Sequence, residues 1–387
     1  MMKTQFQGSF RRVGFGCIVA LSAFIADSAQ AEIDILKADP KGDNFYSPMS
    51  LSVGGSIRPR FRNDMGGADT GQYWQKGYDG GTRFRITTGY NFDEDLKAVG
   101  YWEFGTNIFK VADMDSHYPK KTSRFNRREL YAGLDSEKWG RLTYGKQDSV
   151  YYQTVGVKTD VWENDWHAKA AAVGVYPAYD GSDKPDRTLM YKLTRDDADF
   201  YAMAYLPTHS YYTPGGWMFH RKKGAALGVD WRTTKTLTLS ASYTRIKVTS
   251  WDAQTKHSDY EQIAATSIAW APGPWYAALS GEYYGNFIPQ TMRKRTDYNF
   301  FAGDAYGATA FLSRTFPVDK GPLLSIGPYV AGTRLEILGG EHYHANQLYT
   351  GVNFQFRYGF RVAVERTFSS STDHLPDSNW LDFYYDF

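Results

Sequence analysis

The chain closes with WLDFYYDF, residues 380–387. Leu381, Phe383, Tyr385 and Phe387 fall on one parity, and Trp380, Asp382, Tyr384 and Asp386 on the other. Successive side chains of a strand point to opposite faces, so the stretch predicts one apolar face and one mostly polar face. The last residues of soluble domains are usually frayed and polar. Here the most apolar alternation comes last, so the final residue is expected to lie inside structure.

The same period of two recurs along the chain. TLTLSASYT sets Leu237, Leu239, Ala241 and Tyr243 against Thr236, Thr238, Ser240, Ser242 and Thr244. GTRFRITTGYNF sets Phe84, Ile86, Tyr90 and Phe92 against Arg83, Arg85, Thr87 and Asn91, and LSVGGSIRPRFR sets Leu51, Val53, Ile57 and Phe61 against Arg58, Arg60 and Arg62. LYTGVNFQFR sets Leu348, Val352, Phe354 and Phe356 against Asn353, Gln355 and Arg357. Alternation over about ten residues marks strands, and no long amphipathic helix interrupts the series. Sixteen such segments can be counted between residues 50 and 387.

Their connections alternate in length. Tight turns are expected near 92–96, 135–140, 195–198, 233–235 and 272–274. Long polar stretches are expected at 63–80, 108–125, 147–186, 207–220, 249–257, 287–297, 336–344 and 369–376. A short-and-long alternation is the mark of an up-and-down membrane barrel with short periplasmic turns and long extracellular loops. An even strand number closes the sheet, and hydrocarbon tolerates no open edge. The last strand, which carries Tyr385 and Phe387, would seal against the first. The fold class is therefore all-β, a sixteen-stranded antiparallel transmembrane barrel over residues 32–387.

Composition agrees. Aromatic residues make up 17% of the chain, yet its mean hydropathy is −0.52, as expected of a barrel with an aromatic girdle outside and water inside. Residues 1–12 carry Lys3, Arg11 and Arg12 without an acid. An apolar run follows, and Ala29 and Ala31 form a cleavage pattern. That is a secretory signal peptide, with cleavage expected after Ala31. Its removal takes the single cysteine, Cys17, and leaves acids and bases in balance, which argues against a nucleic-acid partner.

Sixteen strands leave an aqueous lumen. Arg58, Arg60, Arg83, Arg85, Arg128, Arg357 and Arg361 share the inward parity and would form a basic half-ring. The connection 147–186 holds Asp160, Glu163 and Asp165. At about 40 residues it exceeds a simple hairpin loop. Folded inward, it would set carboxylates against the arginines and create a transverse field.

RELYAGLDSEKWGRLTYGKQDSVYY (128–152), GYWEFG (100–105), AEI (31–33) and the terminal Phe together resemble the general porins of Gram-negative outer membranes. The resemblance implies a homotrimer in outer-membrane lipid and lipopolysaccharide, inserted by the barrel-assembly machinery with Phe387 and Tyr385 as the assembly signal. It implies an inward third loop and passive diffusion of small hydrophilic solutes and ions. It assigns constriction bases to Arg83 and Arg128, more loosely to Arg187, and acids to Glu103 and Asp160. Two departures stand out. The usual first-strand base aligns with Gly55, although Arg58 and Arg60 are near. The family's Pro-Glu-Phe-Gly-Gly-Asp run is absent, which leaves Glu163 and Asp165 as alternatives for the second acid. Parity places Glu129 outside, where its expected partner is Lys146 across a subunit contact.

Rival readings remain. A channel specific for anionic sugars or other anionic solutes would use the same arginines with stacking aromatics. An enzyme would need a nucleophile–base pair or a metal cluster, and the eight histidines are scattered. EHYH (341–344) brings two His and a Glu together without a visible third ligand, so no metal, cofactor or catalytic set is expected.

Overall fold

A computed structural model describes residues 32–39, 41–65, 75–111, 125–162, 164, 168–169, 180–212, 218–287, 304–338 and 342–387. Its strand segments form one antiparallel sheet that closes on itself.

Sixteen strands make the wall. β1 comprises Met49–Ile57 and Pro59–Met65, and β2 comprises Gln75–Asp79 and Arg83–Asn91. β3 is Leu96–Thr106, β4 Phe125–Ser136, β5 Gly140–Lys146, β6 Thr188–Arg195 and β7 Ala198–Tyr205. β8 is Met218–Arg232, β9 Leu237–Trp251, β10 Lys256–Trp270 and β11 Trp275–Gly285. β12 comprises Asp304–Arg314 and Phe316–Lys320. β13 is Leu323–Ile337, β14 Tyr343–Phe356, β15 Phe360–Ser371 and β16 Asp377–Asp386. Each pairs with its sequence neighbours, and β16 returns to β1 through Ser56↔Asp386 and Leu381↔Phe61. A short N-terminal strand, Ile33–Leu36, continues that same edge of β1 by pairing with Leu51–Val53.

Closure reaches the last residue. The Phe387 amide donates to the Gly55 carbonyl at 3.1 Å, and the Gly55 amide donates to the Phe387 carbonyl at 2.7 Å. The Phe387 ring packs on Phe84 and Tyr385. The terminal alternation is thus a strand with both edges paired, and its orphan backbone groups are satisfied by β1.

Side-chain direction follows the parity of the sequence. Leu239, Tyr243, Leu348, Tyr90, Phe61 and Phe383 belong to the outward parity, while Ser240, Thr244, Gln347, Trp380, Asp382 and Tyr384 are buried on the inward one. The wall is apolar outside and polar inside, the reverse of a soluble globule.

The rim departs from the expected connections at 63–80, where Gln75–Asp79 pairs with Pro59–Asn63, and more fully at 249–257. The stretch 249–257 reads as a polar loop, but β9 and β10 are each 15 residues long and stay paired out to Trp251↔Lys256. Only 252–255 turn, and Asp252 Oδ1 accepts the amides of Gln254 and Thr255. Spanning needs about ten residues of tilted strand, so these hairpins project beyond the hydrocarbon, where polar residues suit a solvated ladder.

Candidate functional site

The segment after β5 runs into the barrel. Its helical stretch, Tyr152–Gly156 and Val157–Thr159, packs on the inner faces of β8–β12. Val155 and Tyr151 join Ile263, Ala265 and Tyr284 in one apolar cluster, while Val150 joins Met190, Met203 and Ile246 in another. Trp162 stacks on Phe311 at 5.4 Å and lies 5.5 Å from Tyr349.

Polar contacts fix the same loop at several points. Lys158 Nζ meets Asp230 Oδ2 at 3.0 Å, with both side chains buried. Asn164 Nδ2 donates to Glu365 Oε1 at 2.6 Å. The hydroxyls of Tyr276 and Tyr284 donate to the carbonyls of Lys158 and Ala168 at 2.7 and 2.8 Å. The expected inward third loop is therefore present, anchored mainly to β8–β12 and, through Asn164, to Glu365 of β15.

The arginine wall lies on β1, β2, β15 and β16. Two aromatic rings on β16 organise it. Arg361 and Arg58 flank Tyr384, with guanidinium carbons 3.8 and 5.1 Å from the ring centre. Arg60 and Arg62 lie over Trp380 at 5.1 and 5.0 Å. Arg60 also pairs with Asp382, and Arg62 with Asp64. Stacking on aromatic faces keeps the guanidinium planes extended along the wall and partly offsets the cost of gathering like charges.

Arg83 stands between this wall and the loop. It lies within electrostatic reach of Arg58, Arg128, Glu103 and Tyr152, and its Nε is buried without a hydrogen-bond partner among the described residues. Across from it, the Tyr152 hydroxyl donates to Asp160. That phenol is held well above its usual range, first by burial and then by the charge of Asp160, so it remains a neutral donor. Arg128 Nε donates to Glu103 Oε1 at 2.6 Å. Arg85 faces Glu32 of the N-terminal segment at 3.6 Å.

Two expected positions fall elsewhere. Arg187 sits at the mouth of β6, where its Nη1 donates to the Pro207 carbonyl at 3.0 Å and its Nη2 lies 3.5 Å from His209. Arg357 sits at the short-turn rim, bound to the Gly321 carbonyl and paired with Asp319. Glu163 and Asp165 lie outside the described residues.

Glu129 corrects the parity reading. A bulge between Glu103 and Phe104 leaves Arg128 unpaired in the ladder, so the parity of β4 slips at that residue. Glu129 is buried on the inner side and lies 3.6 Å from Lys184 Nζ, while Lys146 donates to the Arg127 carbonyl. Lys184 also pairs with Asp148 and Asp183 and lies over the Tyr152 ring. Burial opposes its charge, but Asp148, Asp183 and Glu129 outweigh that and lift the ammonium above its ordinary range. Sequence reasoning missed this centre, because nothing in the spacing of Lys184 ties it to a strand 55 residues upstream. A side cavity of about 300 Å³ adjoins it, lined in part by Glu129, Arg141, Asp148, Tyr152 and Lys192.

The EHYH histidines are only partly convergent. The rings of His342 and His344 lie 6.4 Å apart, and His344 Nδ1 is 3.0 Å from the Thr372 hydroxyl. Glu341 is outside the described residues.

Comparisons with known proteins agree with this geometry. The family described as Gram-negative porin matches residues 18–202, just under half of the chain. Over those residues the chain is similar to the Gram-negative porins. Outer membrane protein U of Vibrio parahaemolyticus is 30% identical over 134 residues, 33% of this chain and 37% of that protein, so the match spans little more than a third of this relative. The barrel resembles OmpF of Salmonella typhi, solved with daunomycin, at TM-score 0.67 and 14% identity, over 89% of this chain and all of that one. It also resembles the trimer form of OmpT of Vibrio cholerae at TM-score 0.57 and 12% identity, over 88% of this chain and 99% of that one. At such identities the likeness concerns the fold.

Proposed function

We propose that this porin is a water-filled outer-membrane channel for passive diffusion of small hydrophilic solutes and ions. The observation that carries the reading is the anchored third loop, which sets Tyr152 and Asp160 opposite Arg83 across the lumen. Opposed charges across a narrow passage favour small polar solutes that can align with the field. Most lumen bases already have acids beside them: Arg60 with Asp382, Arg128 with Glu103, Arg85 with Glu32. The expected ion preference is therefore weak. Arg83, Arg58 and Arg128 serve as constriction bases, with Asp160 and Glu103 as the acids. Arg187 belongs to the entrance. The porin acts as a homotrimer, is exported by a signal peptide cleaved after Ala31, and is inserted by the barrel-assembly machinery. No enzymatic step, metal or cofactor is assigned to it.

A second reading, a channel for anionic sugars, is favoured by the guanidinium–aromatic ladder of Arg361, Tyr384, Arg58, Arg60, Trp380 and Arg62. One experiment separates the two. The reversal potential of the purified porin is measured in a planar bilayer under a KCl gradient. A value near zero with stepwise conductance supports the general channel. Strong anion preference, with block by a sulfated or phosphorylated sugar, supports the second reading. Folded protein without conductance overturns both.

A further inference from the structure

The inner face of β4–β6, beneath the start of the third loop, carries charge that its own pairs do not balance. At its upper end Lys184 is shared by three carboxylates: it pairs with Asp148 and lies 3.6 Å from both Glu129 and Asp183. The nearby Arg128 is taken by Glu103. At the lower end, beside the short turn 137–139, the ratio is reversed. Asp135 accepts Arg141 at 2.7 Å and faces Lys97 at 3.4 Å, while Asp199 faces Arg232 at 3.2 Å and Lys192 at 3.5 Å. One end of this wall has carboxylates to spare, and the other has cations.

The side cavity of about 300 Å³ joins the two ends. Glu129 and Asp148 line it above, Arg141 and Lys192 below, and Tyr131 and Met190 also contribute. The register explains the convergence: Thr143 pairs with Gly133 and Met190, and Arg141 with Asp135 and Lys192, so the inward alternations of the three strands stand in rows. Tyr131 lies within electrostatic reach of Glu129, Asp148 and Arg141 alike. The acid end is closed, with the Glu129 and Lys184 side chains each 11% exposed. The base end is open, with Arg141 at 45% and Lys192 at 36%. From Glu129 to the row of Arg141 is six residues, about 20 Å of strand, and side chains reaching in from both ends leave about 10 Å between the charges. An extended chain covers that distance in about three residues. The volume lies at the small end of ligand pockets.

We propose that this cavity binds a short zwitterionic peptide of about three residues, its α-ammonium at Glu129 and Asp148 and its α-carboxylate at Arg141 and Lys192. A buried carboxylate short of a partner is costly, and the ammonium supplies one. The two bases below receive the carboxylate by charge-assisted hydrogen bonds, and Tyr131 and Met190 give the peptide body an apolar flank. The lining includes neither Arg83 nor Asp160, so the site stands apart from the constriction. It rests on the channel reading only for its access, which is through the wet lumen on the short-turn side.

Ligand-observed NMR titration of the folded, detergent-solubilised protein tests this, with trialanine as the probe. N-acetyl-trialanine lacks the ammonium, trialanine amide lacks the carboxylate, and alanine carries both charges too close together. Trialanine should bind at one site, and each of the other three about tenfold more weakly. Two variants assign the ends. R141Q/K192Q should bind trialanine and its amide equally, and E129Q/D148N, which leaves Asp183 to Lys184, should bind trialanine and its N-acetyl form equally. The comparison of ligands on the wild type needs neither variant. Absence of trialanine binding, equal binding of all four ligands, or a preference for the free carboxylate that survives R141Q/K192Q overturns the proposal. Bilayer conductance is read separately. Normal steps without peptide binding would remove the subsite and leave the channel, whereas peptide binding without conductance would leave the subsite and remove the channel.

Discussion

Gly55 and Arg83 show how much can rest on single residues. A Cβ at Gly55 would stand 2.8 Å from both the Arg83 carbonyl and the Phe387 ring, closer than real side chains approach. Gly55→Leu is therefore expected to block the closing register, with less than half of the protein reaching the heat-modifiable folded form in a semi-native gel. Phe387→Ala, which keeps the backbone pair, should do less harm. Arg83→Gln should leave folding intact and shift the reversal potential toward cations. Coulomb's law in water gives about 0.5 kcal/mol between an arginine and an ion roughly 8 Å away, so the permeability ratio should move about twofold. An unchanged potential would remove Arg83 from the constriction.

Among elements, the third loop depends on anchors rather than on its own helical propensity, since a stretch this short is marginal alone. Trp162→Ala removes a buried aromatic from the Phe311–Tyr349 cluster, a change that usually costs about 3–5 kcal/mol. The wall keeps its ladder, so the expected result is a folded barrel with noisier, larger conductance steps and faster proteolysis within 147–186. Lys184→Met should act through charge. The raised value of Lys184 means its contribution is complete below the unfolded value, about 10.4, and is lost only as pH rises past the higher folded value. The wild type should therefore show no pH dependence from this group between pH 5 and 9. The variant leaves Asp148, Asp183 and Glu129 facing one another, so its loop should be loosest at neutral pH and tighten as pH falls toward 4. Limited proteolysis across that range checks both statements.

At the scale of the whole molecule, closure is cooperative. β16 bonds β15 on one side and β1 on the other, and the N-terminal strand takes over the β1 edge where Phe387 stops. Removing 377–387 exposes two edges at once, and hydrocarbon cannot satisfy their amides. The truncated chain should remain unfolded in detergent by far-UV circular dichroism. The full-length protein should run as an oligomer unboiled and near the mature monomer when boiled. A single unheated monomer band would count against the trimer.

The sequence by itself determined what is periodic. Alternation marked the strands and their number, placed Arg58, Arg60, Arg83 and Arg85 inward, and put the terminal Phe in the closing strand, because a period of two sends each residue to a known face. It failed where a local irregularity breaks the period, as at Glu129, where one bulged residue reverses the facing. It failed also at the rim, where polar composition suits a long solvated hairpin as well as a loop. Tertiary structure alone decided which charges meet. Lys184 joins Glu129, Lys158 reaches Asp230, and Trp162 finds Phe311, each across spans that no local pattern records. Those pairings depend on how the closed wall brings distant strands and the loop together in space, and spacing along the chain carries no trace of that distance.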